Sequence, residues 1–402
     1  MKIGMAAVEL TPPANVPLEG FEVRKTGTRG IHDPLFARAL VADDGKNRVA
    51  WLIADLIGIP AEVTAQVRAA VSPRIKVPPD SIMLSATHTH GGPGVRPAPA
   101  IEADHAAHAK WLAAFPGKLQ QAFEAAAARL EPMEVSFGRG ICSTMQHNRR
   151  FHMKDGTVKM VWDNPKPEDV AWLGPVDPGV QVLAFKSGGR LRGVLVQFAC
   201  HATAVTGDNY HITADWPGVT GREIKAATGT PDLWMAVAQG CCGNITPAPP
   251  RGTFELCEVK GKQVAEVVMQ ALGRVEPVRG ETVAAVRIPV SLPRKKPGLD
   301  PAPTGEFRES EVQALRLGDI AVVGLPGECF VEMGLEIKAH SPFRGTFVGS
   351  YSADYDDAGL GYIPVAWEYN GGYEVTASGV GPGAHAILFA AAREALGRVG
   401  GT

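Results

Sequence analysis

The stretch NRVAWLIADL, residues 47–56, is a short apolar run bounded by turn residues. Five more of the same kind follow: SIMLSA (81–86), GVQVLAFK (179–186), GVLVQFA (193–199), DLWMAVAQ (232–239) and DIAVVGLP (319–326). Runs of this length suit strands buried on both faces. Between them, residues 105–132, 256–275 and 385–399 carry helical periodicity, with Pro116 expected to kink or break the first. The alternation predicts an α/β fold: one large domain over 1–402, with a mixed, largely buried β-sheet flanked by helices. MKIGMAAVELTPP at the start reads as a first strand, and the proline-rich, basic RIPVSLPRKKPGLDPAPTGE (287–306) as a surface loop.

Composition narrows the function. A hydrophobic fraction of 45% supports a sizeable core, and 40 basic against 42 acidic side chains argue against a nucleic-acid surface. No apolar run is long enough for a transmembrane helix, and the first residues lack the apolar centre of a signal peptide, so a cytoplasmic location is expected. Cys142, Cys200, Cys241, Cys242, Cys257 and Cys329 form no CxxC pair and read as reduced, mostly buried thiols.

The polar residues gain meaning from their places. Asp55 ends the run 47–56, His88 and His90 follow 81–86, His201 follows 193–199, Thr246 lies past 232–239 and Glu328 past 319–326. If the sheet is largely parallel, these strand C-terminal ends share one edge, where such folds bind ligands. Histidines at i and i+2 in extended chain face the same side, so His88 and His90 can share a cavity as two metal ligands, or as one ligand and one proton carrier. His88, His201 and Glu328 would make a set of three ligands, leaving one position open for water. GGPGVRP (91–97) lacks the Gly-Lys-Ser/Thr ending of a phosphate loop, so its glycines read as a tight turn.

SATHTHGGPG, QFACHAT followed by ITADWPG, GNITP, GLPGE and EYNGGYE occur in that order, after AAVELTPP and GIHDPLFARAL near the start. Together they resemble the neutral ceramidase family of zinc amidases, over nearly the whole chain. The resemblance implies a Zn2+ cofactor held by His88, His201, Glu328 and Tyr373, with His90 working beside it on the substrate. It also implies catalytic roles for Thr246 and Arg149, and substrate contacts from Asn148, Arg149 and Asn244. Asp55 and Asp215 are candidates to hold a histidine in its tautomer.

The expected reaction is zinc-dependent hydrolysis of an N-acyl amide by an activated water, with His90 shuttling the proton and Arg149 or Thr246 donating to the oxyanion. Three departures from the family pattern bear on substrate: Thr246 where the family has serine, Arg150 after Asn148-Arg149 where a small residue is usual, and Phe21 where tyrosine is common. The chain also lacks room for the immunoglobulin-like C-terminal domain of full-length ceramidases. A soluble or short-chain small-molecule substrate is therefore expected. Ester, lactone or carbohydrate-linked hydrolysis on the same scaffold is the alternative, as is a catalytically silent binding protein.

Overall fold

The computed structural model describes residues 1–249, 252–355 and 360–401. Its fold is mixed α/β, built on three larger sheets. The first has the strands Ile82–Ala86, Arg48–Ala54, Phe36–Asp43, Lys2–Glu9 and Glu131–Pro132 in spatial order. The second runs Trp234–Gln239, Arg190–Phe198, Gly179–Ser187, Glu134–Ile141, Glu276–Pro277. The third runs Val283–Lys295, Pro303–Leu317, Ile320–Gly324, Gly345–Gly349.

The doubly buried runs arise because each sheet is covered on both sides. Along Arg48–Ala54, Val49, Trp51 and Ile53 enter a core shared by all three sheets, while Ala50, Leu52 and Ala54 enter a second core under helices. Ile320–Gly324 alternates likewise: Ile320 and Val322 enter the shared core, Ala321 and Val323 a third one under the helices Val331–Ala339 and Gly383–Gly400. The period of two is present, but both phases are apolar. Helices Ala61–Ile75 and His105–Ala127 pack outside the first sheet, and Asp215–Thr228 and Phe254–Leu272 outside the second. Among the described residues, no helix is long and apolar enough to cross a membrane.

Three expectations are corrected. Pro116 does not end its helix: His105–Ala127 continues through it, and Asp104 caps the start by accepting the Ala107 N–H at 2.9 Å. Residues 287–306 are not a loop but most of a long antiparallel hairpin, Val283–Lys295 with Pro303–Leu317. Pro289 and Pro293 are tolerated because their strand lies at the sheet edge, where a missing N–H breaks no inner ladder. Nor is the sheet largely parallel. Parallel pairing in the three sheets is confined to Arg48–Ala54 with Ile82–Ala86, Arg190–Phe198 with Trp234–Gln239, and Ile320–Gly324 with Gly345–Gly349, among the described strands. Those are the pairs whose C-terminal ends precede the candidate residues, so the strand-end argument holds locally.

Candidate metal centre

The strand Ile82–Ala86 stops before the histidine pair, and His88 adopts a left-handed backbone with φ 58°. For a side chain with a Cβ this conformation costs roughly 1 kcal/mol and tends to persist where the surroundings enforce it. The two rings therefore meet through a turn and not through strand alternation. His88 Nε2 and His90 Nε2 lie 3.1 Å apart. Gly91 allows the tight return, since a Cβ there would meet Thr213 O at 2.5 Å.

Backbone carbonyls set the tautomers. His88 Nδ1 donates to Ile57 O at 2.7 Å, and His201 Nδ1 donates to Cys242 O at 2.7 Å and Ile245 O at 2.9 Å. Each ring then turns an Nε2 lone pair inward, onto the same carboxylate oxygen: Glu328 Oε2 is 3.2 Å from His88 Nε2 and 3.1 Å from His201 Nε2. His88 and His201 are fully buried and Glu328 is 3% exposed. Lone pairs converging in a buried space repel unless a cation sits among them. Two ligand atoms around a tetrahedral zinc stand about 3.3 Å apart, close to these separations. The ligand atoms of His88, His90 and His201 all fall within 4.8 Å of one another, so His90 also lies within reach of an ion. The donor set fits a divalent metal of zinc type.

The electrostatics agree. Burial, then the neighbouring His88 and His201, push the His90 imidazole well below its ordinary value, and burial with Arg149 nearby lowers His201 to about 4. Burial opposes ionisation of Glu328, but His88 and His201 outweigh it and hold the carboxyl well below its ordinary value. A neutral imidazole and an ionised carboxylate are the forms that ligate a metal. Tyr351 stacks on His88 with centroids 3.9 Å apart, and its hydroxyl is 3.5 Å from Glu328 Oε2.

A sequence model of the family described as neutral/alkaline non-lysosomal ceramidase, N-terminal, matches residues 1–283. The chain belongs to that family. The neutral ceramidase of Pseudomonas aeruginosa is 27% identical over 281 residues, covering 63% of this chain and 38% of that protein. That of Mycobacterium tuberculosis is 26% identical over 293 residues, covering 63% of this chain and 43% of that protein. The matched segment thus spans less than half the length of these curated relatives. The crystal structure of neutral ceramidase from Pseudomonas aeruginosa shares the fold, with TM-score 0.80 at 20% identity over 99% of this chain and 75% of that one.

Within this ceramidase-family fold the expected residues separate. His88, His90, His201 and Glu328 are brought together. Tyr373 is not part of that buried group: it begins the short helix Tyr373–Thr376, is 43% exposed, and packs its ring against Trp162 and Tyr362. The tyrosine carried to the cluster is Tyr362. It is 6% exposed, sits opposite Glu328 in the parallel pair Glu328–Cys329 with Tyr362–Ile363, and holds its ring 6.4 Å from that of His201. Burial raises its phenol, and the Glu328 charge adds to this, while the Arg149 charge works the other way. Two tyrosines eleven positions apart in one segment gave the sequence no basis for choosing between them.

Arg149 is 6% exposed; its Nε donates to Glu374 Oε1 at 2.7 Å and its Nη2 to Gly243 O at 2.7 Å. Thr246, 8% exposed, lies on Ile245–Pro247 opposite His147. Asn148 and Asn244 have their amides engaged within the fold. Asn148 Nδ2 donates to Pro175 O and its Oδ1 accepts from Arg150 N, while Asn244 Nδ2 donates to Glu332 Oε2 and its Oδ1 accepts from Val331 N. Both brace the loops around Arg149, whose own N–H donates to Asn244 O at 2.9 Å. Neither Asp55 nor Asp215 touches an imidazole nitrogen. Asp55 accepts from Phe36 N and Arg38, and Asp215 accepts the N–H groups of Ala204, Val205 and Trp216, fixing the turn after His201. Carbonyls do the work expected of these carboxylates, and carbonyls leave no trace in side-chain identity. A space of about 650 Å³ lined by Arg38, Arg129 and Lys225 contains none of these site residues.

Proposed function

We propose that this protein is a zinc-dependent hydrolase of N-acyl amides, with the described chain acting as one catalytic unit on a soluble or short-chain substrate. The convergence of His88 Nε2 and His201 Nε2 on Glu328 Oε2, at 3.2 and 3.1 Å, carries the reading. These three would hold the ion, with Tyr362 the tyrosine best placed to join them. The bound ion would supply Lewis acidity toward the scissile carbonyl and its attacking water.

The protein's own groups then share the remaining chemistry. His90 is neutral and, at 7% exposed, the most accessible of the three clustered histidines. It takes the proton of the attacking water and returns it to the departing amine. Thr246 donates its hydroxyl toward the oxyanion, and Arg149, anchored by Glu374 and Gly243, adds fixed positive charge beside it.

The approach to His90 supports a small substrate. Gly20 packs so closely over the ring that a Cβ would stand 2.3 Å from His90 Nδ1, and Phe21 adds a ring 4.8 Å away. The name of the relatives, neutral ceramidase, points to an amide bond. Metal analysis of the purified chain, with a turnover screen of short N-acyl amides against long-chain ceramide in vesicles, tests the reading. It expects about one zinc per chain and faster turnover of the short amides. Absence of metal uptake with no amide turnover would overturn it, and exclusive cleavage of vesicle ceramide would overturn the substrate preference.

A further inference from the structure

The geometry points to Arg150 and Glu374 as positioning residues for Arg149, joined in a buried chain of four charges that sets where Arg149 stands beside the metal centre. The inference rests on the reading that Arg149 serves the reaction. Glu374, fully buried, gives one carboxylate oxygen to each arginine: Oε1 accepts from Arg149 Nε at 2.7 Å and Oε2 from Arg150 Nη1 at 2.8 Å. Arg150, 1% exposed, directs its remaining donors to the opposite side. Its Nε donates to Glu368 Oε2 at 3.1 Å, and its Nη2 to the carbonyls of Glu368 at 3.0 Å and Gly371 at 2.9 Å.

The surrounding backbone is shaped to this guanidinium. Gly372 has φ 89°, and a Cβ there would meet Arg150 Nη1 at 2.5 Å, so a side chain at that position would displace the arginine. Two guanidinium groups alternate with two carboxylates, with His152 Nε2 3.2 Å from Glu368 Oε1 at the far end, so removing either of the central pair, Glu374 or Arg150, leaves a neighbouring buried charge short of its partner. Arg149 is the member that reaches the centre. Its Nη2 holds the carbonyl of Gly243, itself packed on the Glu328 backbone, and its guanidinium lies over the Tyr362 ring, 5.3 Å from the centroid. Arg150 makes no such contact with the cluster. Its effect on the centre runs through Glu374 and Arg149. A planar fork that spans two carboxylates at once is a task lysine, with a single ammonium, performs poorly.

The test is a mutant cycle on the metal-loaded protein with Glu374→Gln, Arg150→Lys and Arg149→Lys, assayed on the best short amide. Glu374→Gln and Arg150→Lys are expected to lower kcat at least tenfold, with KM within about threefold and bound metal per chain unchanged. Adding either change to Arg149→Lys is expected to cost little beyond Arg149→Lys alone, because both act through that side chain. Losses that simply multiply would overturn the proposal. Crystal structures of the two single variants give a readout independent of turnover: Arg149 should have left the Gly243 carbonyl, and an Arg149 still in place in both would also overturn it. If the wild-type protein cleaves no amide, the proposed reaction fails while the structures still judge the positioning chain. Should Glu374→Gln not fold, Arg150→Lys, which keeps a cation between both carboxylates, completes the cycle.

Discussion

Glu328 and Tyr362 are register partners in a two-stranded parallel sheet, so the carboxylate and the phenol leave neighbouring strands side by side. Paired positions in adjacent strands project to the same face. A residue 34 positions away in sequence thereby reaches the buried cluster, while Tyr373 on the following short helix stays at the surface.

Tyr362→Phe is accordingly expected to weaken zinc binding at least tenfold in a chelator competition titration, with turnover falling in parallel. Tyr373→Phe should change neither by more than about threefold. The opposite ranking would return the ligand role to Tyr373.

Metal removal should be visible in stability. A ligand at about a hundred times its Kd stabilises the native state by about 2.7 kcal/mol, so excess zinc should raise the Tm of the wild type by several degrees over the chelator-treated protein. In His88→Ala and Glu328→Ala, which take away one of the converging donors, that metal-dependent rise should shrink or vanish together with activity. A wild-type melting curve indifferent to zinc and chelator would count against the site.

Thr246 tests the oxyanion role. Thr246→Ser keeps the hydroxyl and is expected to stay within about tenfold of wild-type turnover, roughly 1.4 kcal/mol of barrier. Thr246→Ala should lose on the order of a hundredfold or more in kcat, the usual effect of removing one oxyanion donor. Wild-type turnover in the alanine variant would remove Thr246 from the reaction.

Glu332 gives a pH dependence away from the metal. Burial, with the Glu368 charge adding to it, raises its carboxyl from 4.5 to about 7, although the Asn244 amide donates to it. A carboxyl whose folded value is raised binds its proton more tightly in the native state. Its stabilising contribution is therefore full below about pH 4.5 and is lost as pH rises through about 7. The stability of wild type relative to Glu332→Gln, from denaturant melts, should fall by about 2 kcal/mol between pH 5 and pH 8. A difference that does not vary with pH would show that this carboxyl titrates normally.

The sequence by itself determined the α/β class and the order of the strands before the site. Short doubly apolar runs with chemistry at their C-terminal ends are local patterns, and His88, His90, His201 and Glu328 could be read from them. Local pattern also misled where its physics was ambiguous. A proline-rich stretch at a sheet edge obeys the same rules as a loop, and Pro116 is accommodated by a helix whose packing outweighs one lost hydrogen bond. Tertiary structure alone decided which tyrosine faces Glu328, that backbone carbonyls of Ile57, Cys242 and Ile245 orient the imidazoles, and that Glu374 lies between two arginines more than 220 positions away. Register between strands distant in sequence, and hydrogen bonds accepted by main-chain oxygens that every residue carries, are not encoded in the identity of any one side chain.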